Sequence, residues 1–205
     1  ISKMKRHRGK RRYTHPRVLI LCEGKTEENY FKAILQDPDY KQKLFAVRVS
    51  IYSGKKSSPD HVVLEAIKRA KEAKEDGIPF KEIWVVFDHD NHPNRHSAFQ
   101  NALSHKLKNA FSSIAFEEWF LMHFVKSGKA FPNTDSLLKE LRKYYKDYRK
   151  ASQNDFANLK ILLPKAFSNA KWLRKQGNDR NSLIPDFNPW TDVDILVNKM
   201  IKVSF

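Results

Sequence analysis

Ile83-Trp84-Val85-Val86-Phe87-Asp88-His89-Asp90 joins an unbroken apolar run to a pair of aspartates, and its reading decides the fold. A short run of this kind suits a strand buried on both faces, as in a parallel sheet with helices on each side. Val18-Leu19-Ile20-Leu21-Cys22 is a second such run, and it too ends on a carboxylate, Glu23. Two buried strands delivering acidic residues from the same end is a pattern with chemical consequences.

Outward from these runs, strands and helices alternate. Glu23-Gly24-Lys25-Thr26 turns the chain into a helix expected over 27–35, with Glu27 and Glu28 in the first turn as the helix dipole favours. Phe45, Val47, Val49 and Ile51 alternate with other residues and mark a further strand. A loop, 53–59, leads to a helix over 60–76 that is stopped by Gly77. After the Ile83 run come a helix over 97–108, a short strand over 111–115 and a helix over 117–125. This order calls for an α/β fold with a mainly parallel sheet between helices, over residues 17–128. Beyond Gly128 only helices are expected, over 136–150, over 156–176 with a break at Pro164, and over 191–201 capped by Thr191. Residues 129–205 are therefore a C-terminal helical extension, and 1–16 a basic flexible arm.

The chain has 205 residues, with 39 Lys and Arg against 23 Asp and Glu, a formal net charge of +16. Seven of the first twelve residues are basic, yet removing them leaves 32 against 23, so the excess lies in the body as well. Such a field attracts polyanions, nucleic acid first among them. No window approaches the roughly 18 apolar residues of a membrane span, and no signal-peptide core is present. With a single cysteine, Cys22, inside an apolar run, the cytosol is the expected compartment.

Ligands of open parallel sheets bind beyond the carboxyl ends of the strands. Side chains repeat every two residues along a strand, so Asp88 and Asp90 share a direction if strand geometry persists, and Glu23 on a neighbouring strand completes a trio. Like charges gathered in this way repel, and a hard divalent cation, Mg²⁺ or Mn²⁺, is the natural neutraliser. Such an ion can polarise a phosphoryl oxygen and activate water. A strand-end aspartate can equally be a plain turn residue or helix cap.

Four ordered segments then carry a resemblance. Leu21-Cys22-Glu23-Gly24-Lys25-Thr26-Glu27-Glu28-Asn29-Tyr30-Phe31, Val86-Phe87-Asp88-His89-Asp90, Ala115-Phe116-Glu117-Glu118-Trp119-Phe120-Leu121-Met122-His123-Phe124 and Asn188-Pro189-Trp190-Thr191-Asp192-Val193 resemble the motifs of the RloB-like family. The resemblance spans residues 18 to about 197. It departs before "FE", where the family's Ser-Asn-Pro reads Ser113-Ile114-Ala115, and in the His89 set between the aspartates. The resemblance implies a TOPRIM-related domain, a Mg²⁺-dependent nuclease site, and a place in bacterial defence beside an ATPase of the ABC or AAA type. It implies Glu23 as general base or metal ligand, with Asp88 and Asp90 as ligands.

Other candidates have competing readings. Glu27, one turn beyond Glu23, is a further metal ligand or a plain helix-start carboxylate. Glu117, where a strand meets a helix, is a ligand by the family match. Lys25 is a candidate phosphate contact or a solvated loop lysine. Lys55 and Lys56, with Arg142, Lys143 and Lys146 on the expected 136–150 helix, are nucleic-acid-binding candidates, while the tyrosines of that helix fit a core. His89, His92 and His96 beside the aspartates also suggest zinc or a DHH-type phosphoesterase, although matching ligands elsewhere are not evident. His123 reads as a core histidine. The rivals to a nuclease are a non-catalytic subunit that binds nucleic acid or the ATPase, and a phosphoesterase for a small nucleotide; an extended basic surface argues against the latter.

Overall fold

The computed structural model describes residues 17–52, 57–89, 92–151, 154–178 and 184–202. The basic arm 1–16, and Lys55, Lys56 and Asp90, lie outside the described residues.

β1 (Val18–Cys22) is wholly buried and leads through Glu23 and Gly24 into α1 (Lys25–Gln36), which buries Tyr30, Phe31 and Ile34. β2 (Val47–Ile51) precedes α2 (Pro59–Glu75). Pro59 opens that helix, where a missing N–H costs nothing. Gly77, at φ +75°, closes it: its N–H reaches Lys74 O at 3.1 Å and that of Ile78 reaches Ala73 O at 2.9 Å, the paired bonds of a left-handed helix stop. β3 (Glu82–Asp88) is the buried run that ends on Asp88. α3 (Arg95–Ser104), β4 (Lys108–Ser113) and α4 (Glu117–Met122) follow. The remainder supplies α5 (Thr134–Leu141), α6 (Asp155–Leu159), α7 (Leu163–Asn178), β5 (Trp190–Thr191) and α8 (Val193–Lys202).

The sheet runs β2-β1-β3-β4-β5, with the first four strands parallel and β5 antiparallel to β4. Alternate strand residues divide its interior in two. Val18, Ile20, Cys22, Trp84 and Val86 face α1, α4 and the C-terminal helices. Leu19, Leu21, Ile83, Val85 and Phe87 face α2 and α3. Both faces are covered, and the protein is an α/β fold with a mostly parallel sheet between helices.

The C-terminal segment shares this core. Leu137, Leu141, Phe156, Leu163 and Leu196 lie in the same cluster as β1 and α1. It also departs from the expectation of helices alone, because β5 pairs Thr191 with Ser112 and Trp190 with Ser113 at the sheet edge. Two residues are too few for a period to show. Thr191 caps from within that strand, its Oγ1 accepting from Val193 N at 3.3 Å.

Three helices end sooner than their periodicity suggests, and of these α4 stops at Met122 rather than 125. α3 stops at Ser104 because Lys106 adopts φ 59° and Leu107 N donates back to Ala102 O at 2.9 Å. This is the same stop as at Gly77, without a glycine to announce it. The helix expected to 150 ends at Leu141, and 142–151 is a succession of turns. Arg142 Nε donates to Tyr148 O at 3.3 Å, and Tyr145 Oη donates to Asp155 at 3.0 Å, so side chains replace the helical ladder there. The break near Pro164 is a short 3₁₀ turn, Lys160–Leu162, which leaves Pro164 in the first turn of α7.

Arg174 ties α7 to the C-terminus. Its guanidinium grips both oxygens of Asp194, with Nη2 to Oδ2 at 2.7 Å, and also donates to Thr191 O at 2.9 Å. Both side chains are largely buried, at 20% and 8% exposure, so breaking the pair strands a carboxylate. Arg174→Ala is expected to cost about 3–5 kcal/mol by urea unfolding, and Arg174→Met with Asp194→Leu much less. Equal losses in the single and double variants would show that packing, rather than the stranded charge, sets the cost.

Candidate active site

The strand order places β1 and β3 side by side with their onward connections leaving in opposite directions. α1 packs on one face after β1, and α3 on the other after β3. A crevice opens at such a point beyond the strand ends. Glu23 follows β1, its N–H donating to Val86 O at 2.9 Å, so the pairing with β3 persists to this residue. Asp88 ends β3 on the Val86 side of the sheet. A cavity of about 420 Å³ lies here, lined by Glu23, Lys25, Glu27, Asp88 and Glu117, together with Gly24, His92 and Lys150.

Glu27 is nearly buried, in the first turn of α1. Its carboxylate folds back over Gly24, where an added Cβ would meet Oε2 at 2.6 Å. Glycine at 24 thus leaves room for this close approach, its φ of −123° being open to any residue. Burial pushes the Glu27 carboxyl up to about 7, and the charge of Glu117 adds to this, against its own backbone N–H and Lys150.

Glu117 opens α4 and is 1% exposed. Tyr148 Oη donates to its Oε1 at 2.7 Å and accepts from Thr26, bridging the starts of α4 and α1. Burial, and then the Glu117 charge, drive the Tyr148 phenol far up, so it stays a donor. Lys150 Nζ lies 3.5 Å from the same Glu117 oxygen. Burial pulls the Lys150 pKa down, but Glu117, Asp88 and Glu27 outweigh it and raise it, so the ammonium is firmly charged.

Around this centre, Ser57 Oγ donates to Glu23 O at 3.0 Å, and His92 Nε2 stands 3.8 Å from Glu23 Oε1. Lys25 lines the cavity while its ammonium pairs with Glu28 at 2.6 Å. His89 is buried and outside the cavity lining. His96 pairs with Asp186 at 2.9 Å, so the three histidines do not converge as zinc ligands. His123 is a core residue whose Nδ1 lies 2.9 Å from Trp119 O, and burial pulls it down to about 4, which keeps it neutral. Arg142, Lys143 and Lys146 are exposed on the turns after α5, and Lys143 pairs with Glu140 at 3.0 Å. They do not line the cavity and do not form one helical face.

The structure therefore gathers Glu23, Glu27, Asp88, Glu117 and Lys25 around one space, and it adds Lys150, Tyr148 and Thr26. Lys150 was legible only as one charge among many in a basic stretch, and Tyr148 only as core. The donors fit a hard divalent ion in kind, being all carboxylate, with the Glu27–Glu117 repulsion for such an ion to relieve. Among the described residues no group of three or more His, Cys, Asp or Glu is set to hold a metal ion. Asp90 lies outside those residues.

Fold and site together define a doubly wound α/β protein with an acidic cavity at the reversal of its strand order. The family model of the RloB-like proteins matches residues 18–200, and the chain belongs to that family. Comparison with curated proteins and with solved structures gave no match. No helix among the described residues is long and apolar enough to cross a membrane.

Between about pH 4.5 and 7 the folded protein holds a proton on Glu27 that the unfolded chain has released, so stability falls as pH rises through this window. Glu27→Gln lacks that loss. Its urea midpoint is expected to gain on the wild type between about pH 5 and about pH 8. Parallel pH profiles would place the raised carboxyl elsewhere.

Gly24→Ala is expected to shift stability by no more than about 1 kcal/mol, because the clash is with a side-chain tip. It should displace the Glu27 carboxylate, read as a fall of its pKa from about 7 by carboxyl NMR. An unmoved Glu27 titration in a folded variant refutes the close approach.

Proposed function

We propose that the chain is a metal-dependent nuclease of TOPRIM type that hydrolyses nucleic-acid phosphodiester bonds. The observation that carries the reading is four carboxylates, Glu23, Glu27, Asp88 and Glu117, brought from four segments to one cavity at the strand-order reversal. The chain as a whole carries a formal net charge of +16, which suits a polyanionic substrate, and the acidic centre suits a cation-dependent reaction.

Glu23, Asp88 and Glu117, with Asp90 from the sequence pattern, are the residues that would hold Mg²⁺ or Mn²⁺. When bound, the ion supplies charge for a phosphoryl oxygen and a lowered pKa for water. Glu27 is suited to proton transfer, since a carboxyl titrating at about 7 both accepts and returns a proton near neutrality. Gly24, Lys25, Thr26 and Glu27 at the start of α1 line this space, and a helix start with a lysine suits a phosphate. Arg142, Lys143 and Lys146, exposed on the turns that carry Lys150, are the proposed contacts to the nucleic-acid backbone outside the cavity. By family resemblance the setting is cytosolic anti-phage defence with an ABC- or AAA-type ATPase as partner.

One observation favours a second reading, a non-catalytic subunit that binds nucleic acid or the ATPase. Lys150 already neutralises part of the acidic cluster, as a structural counter-ion would.

The two separate in a cleavage assay on RNA, single-stranded DNA and duplex DNA, with Mg²⁺, Mn²⁺ or EDTA, and with the ATPase added where one is encoded alongside. The nuclease reading expects metal-dependent cleavage that falls by at least about a hundredfold in Glu23→Ala and in Asp88→Ala. Undiminished cleavage by both variants removes this site from the reaction. Binding without cleavage under every condition supports the subunit.

A further inference from the structure

The turns between α5 and α6 send two side chains to a single carboxylate oxygen of Glu117. Tyr148 reaches it from inside: it is buried, donates at 2.7 Å and packs against Phe120 with ring centroids 5.6 Å apart. Lys150 reaches it from the solvent side at 3.5 Å, with its side chain 48% exposed where that of Glu117 is 1%. The backbone just past Lys150 is pinned, because Ala151 O accepts from Asn29 Nδ2 of α1 at 3.0 Å. The ammonium thus sits on a flexible stem rooted in a pinned stretch of chain, at the lining of the cavity.

The position is chemically loaded. Glu117, Asp88 and Glu27 all act on this one ammonium, and no other cationic side chain lining the cavity contacts Glu117 within 4 Å among the described residues. An incoming divalent ion and this ammonium would compete for the same carboxylate. A phosphate in the cavity would, in turn, want the ammonium.

We propose, resting on the nuclease reading, that Lys150 is the cavity's resident cation: it occupies Glu117 in the metal-free protein, competes with a divalent ion for it, and passes to a substrate phosphate once displaced. Lysine suits both stations, as a compact point charge on a four-carbon stem that binds phosphate without fixed geometry. Tyr148 keeps Glu117 in place through the exchange, so the carboxylate does not collapse when the ammonium leaves. A purely structural counter-ion behaves in the opposite sense, since its removal disorders the carboxylates and weakens metal binding.

The experiment is calorimetric titration of Mn²⁺ into the full chain as wild type, Lys150→Met and Lys150→Arg, with Lys150→Gln as a second neutral variant should the first not fold. A short phosphorothioate oligonucleotide is then titrated into each Mn²⁺-loaded protein. Neutral variants are expected to bind Mn²⁺ about three- to tenfold tighter than wild type, through loss of the competing charge. They are expected to bind the oligonucleotide about tenfold more weakly, with Lys150→Arg close to wild type in both titrations. Mn²⁺ affinity that is unchanged or reduced in the neutral variants overturns the competition, and unchanged oligonucleotide affinity overturns the passage to phosphate. A wild type that binds no Mn²⁺ overturns the nuclease reading itself, which is distinguishable because the other failures appear only in the variants.

Discussion

Glu27 and Glu117 bring two carboxylates into one another's field while both are nearly withdrawn from water. Burying one ionised carboxylate is costly, and burying two together is worse, unless donors and counter-charges stand ready. The donors that answer this need come from two distant parts of the chain, the first turn of α1 and the turns after α5. The first turn of α1 supplies backbone N–H, Thr26 and Tyr148 form a hydroxyl relay to Glu117, and Lys150 supplies a full charge. The starts of α1 and α4 and the turns after α5 are therefore bound to one another through this pair, and the site exists only where all three meet.

That requirement explains why the C-terminal segment is built into the core. Its helices join the cluster formed by β1 and α1, and Trp119 of α4 donates to Tyr30 of α1 at 2.9 Å in the same interior. β5 and α8 close the far edge of the sheet, with Arg174 fastening them to α7. The parallel strands provide the rigid floor from which Glu23 and Asp88 project, and the later helices hold the wall that carries Tyr148 and Lys150. A site shared between floor and wall is held by packing on both sides.

The floor was readable from the residues and the wall was not. Val18–Cys22 and Ile83–Phe87 announce buried strands because every residue is apolar, and each run stops on an acid, so the sheet and the places of Glu23 and Asp88 follow. Glu27 and Glu117 were reachable through helix-start position and family resemblance. Lys150 and Tyr148 were not, since tyrosines at helical spacing imply a continuous helix, and a helix would have sent them in different directions. The chain instead leaves the helix at Leu141, where side chains such as Arg142 and Tyr145 take over the hydrogen bonding. Nothing local in 142–151 signals that choice, because the partners that reward it, Glu117 and Asp155, lie far along the chain or beyond the next turn. The early stop of α3 was hidden for a different reason, as Lys106 adopts the left-handed conformation usually given to glycine.

Charge poses the sharper problem. The molecule as a whole is strongly positive, but the floor of its cavity is acidic, so a polyanion drawn in by the first would be repelled by the second. A phosphate can approach Glu23, Asp88 and Glu117 only if positive charge is interposed. Lys150 contributes one such charge, and protonation of Glu27 near neutrality removes part of one negative charge. On the proposed nuclease reading a divalent cation would supply further positive charge beside these, and oxygen donors of this kind suit a hard ion over a softer one. On the same proposal Lys150 has two stations, since the ammonium that balances the carboxylates is the charge left over for a phosphate when a stronger cation takes them.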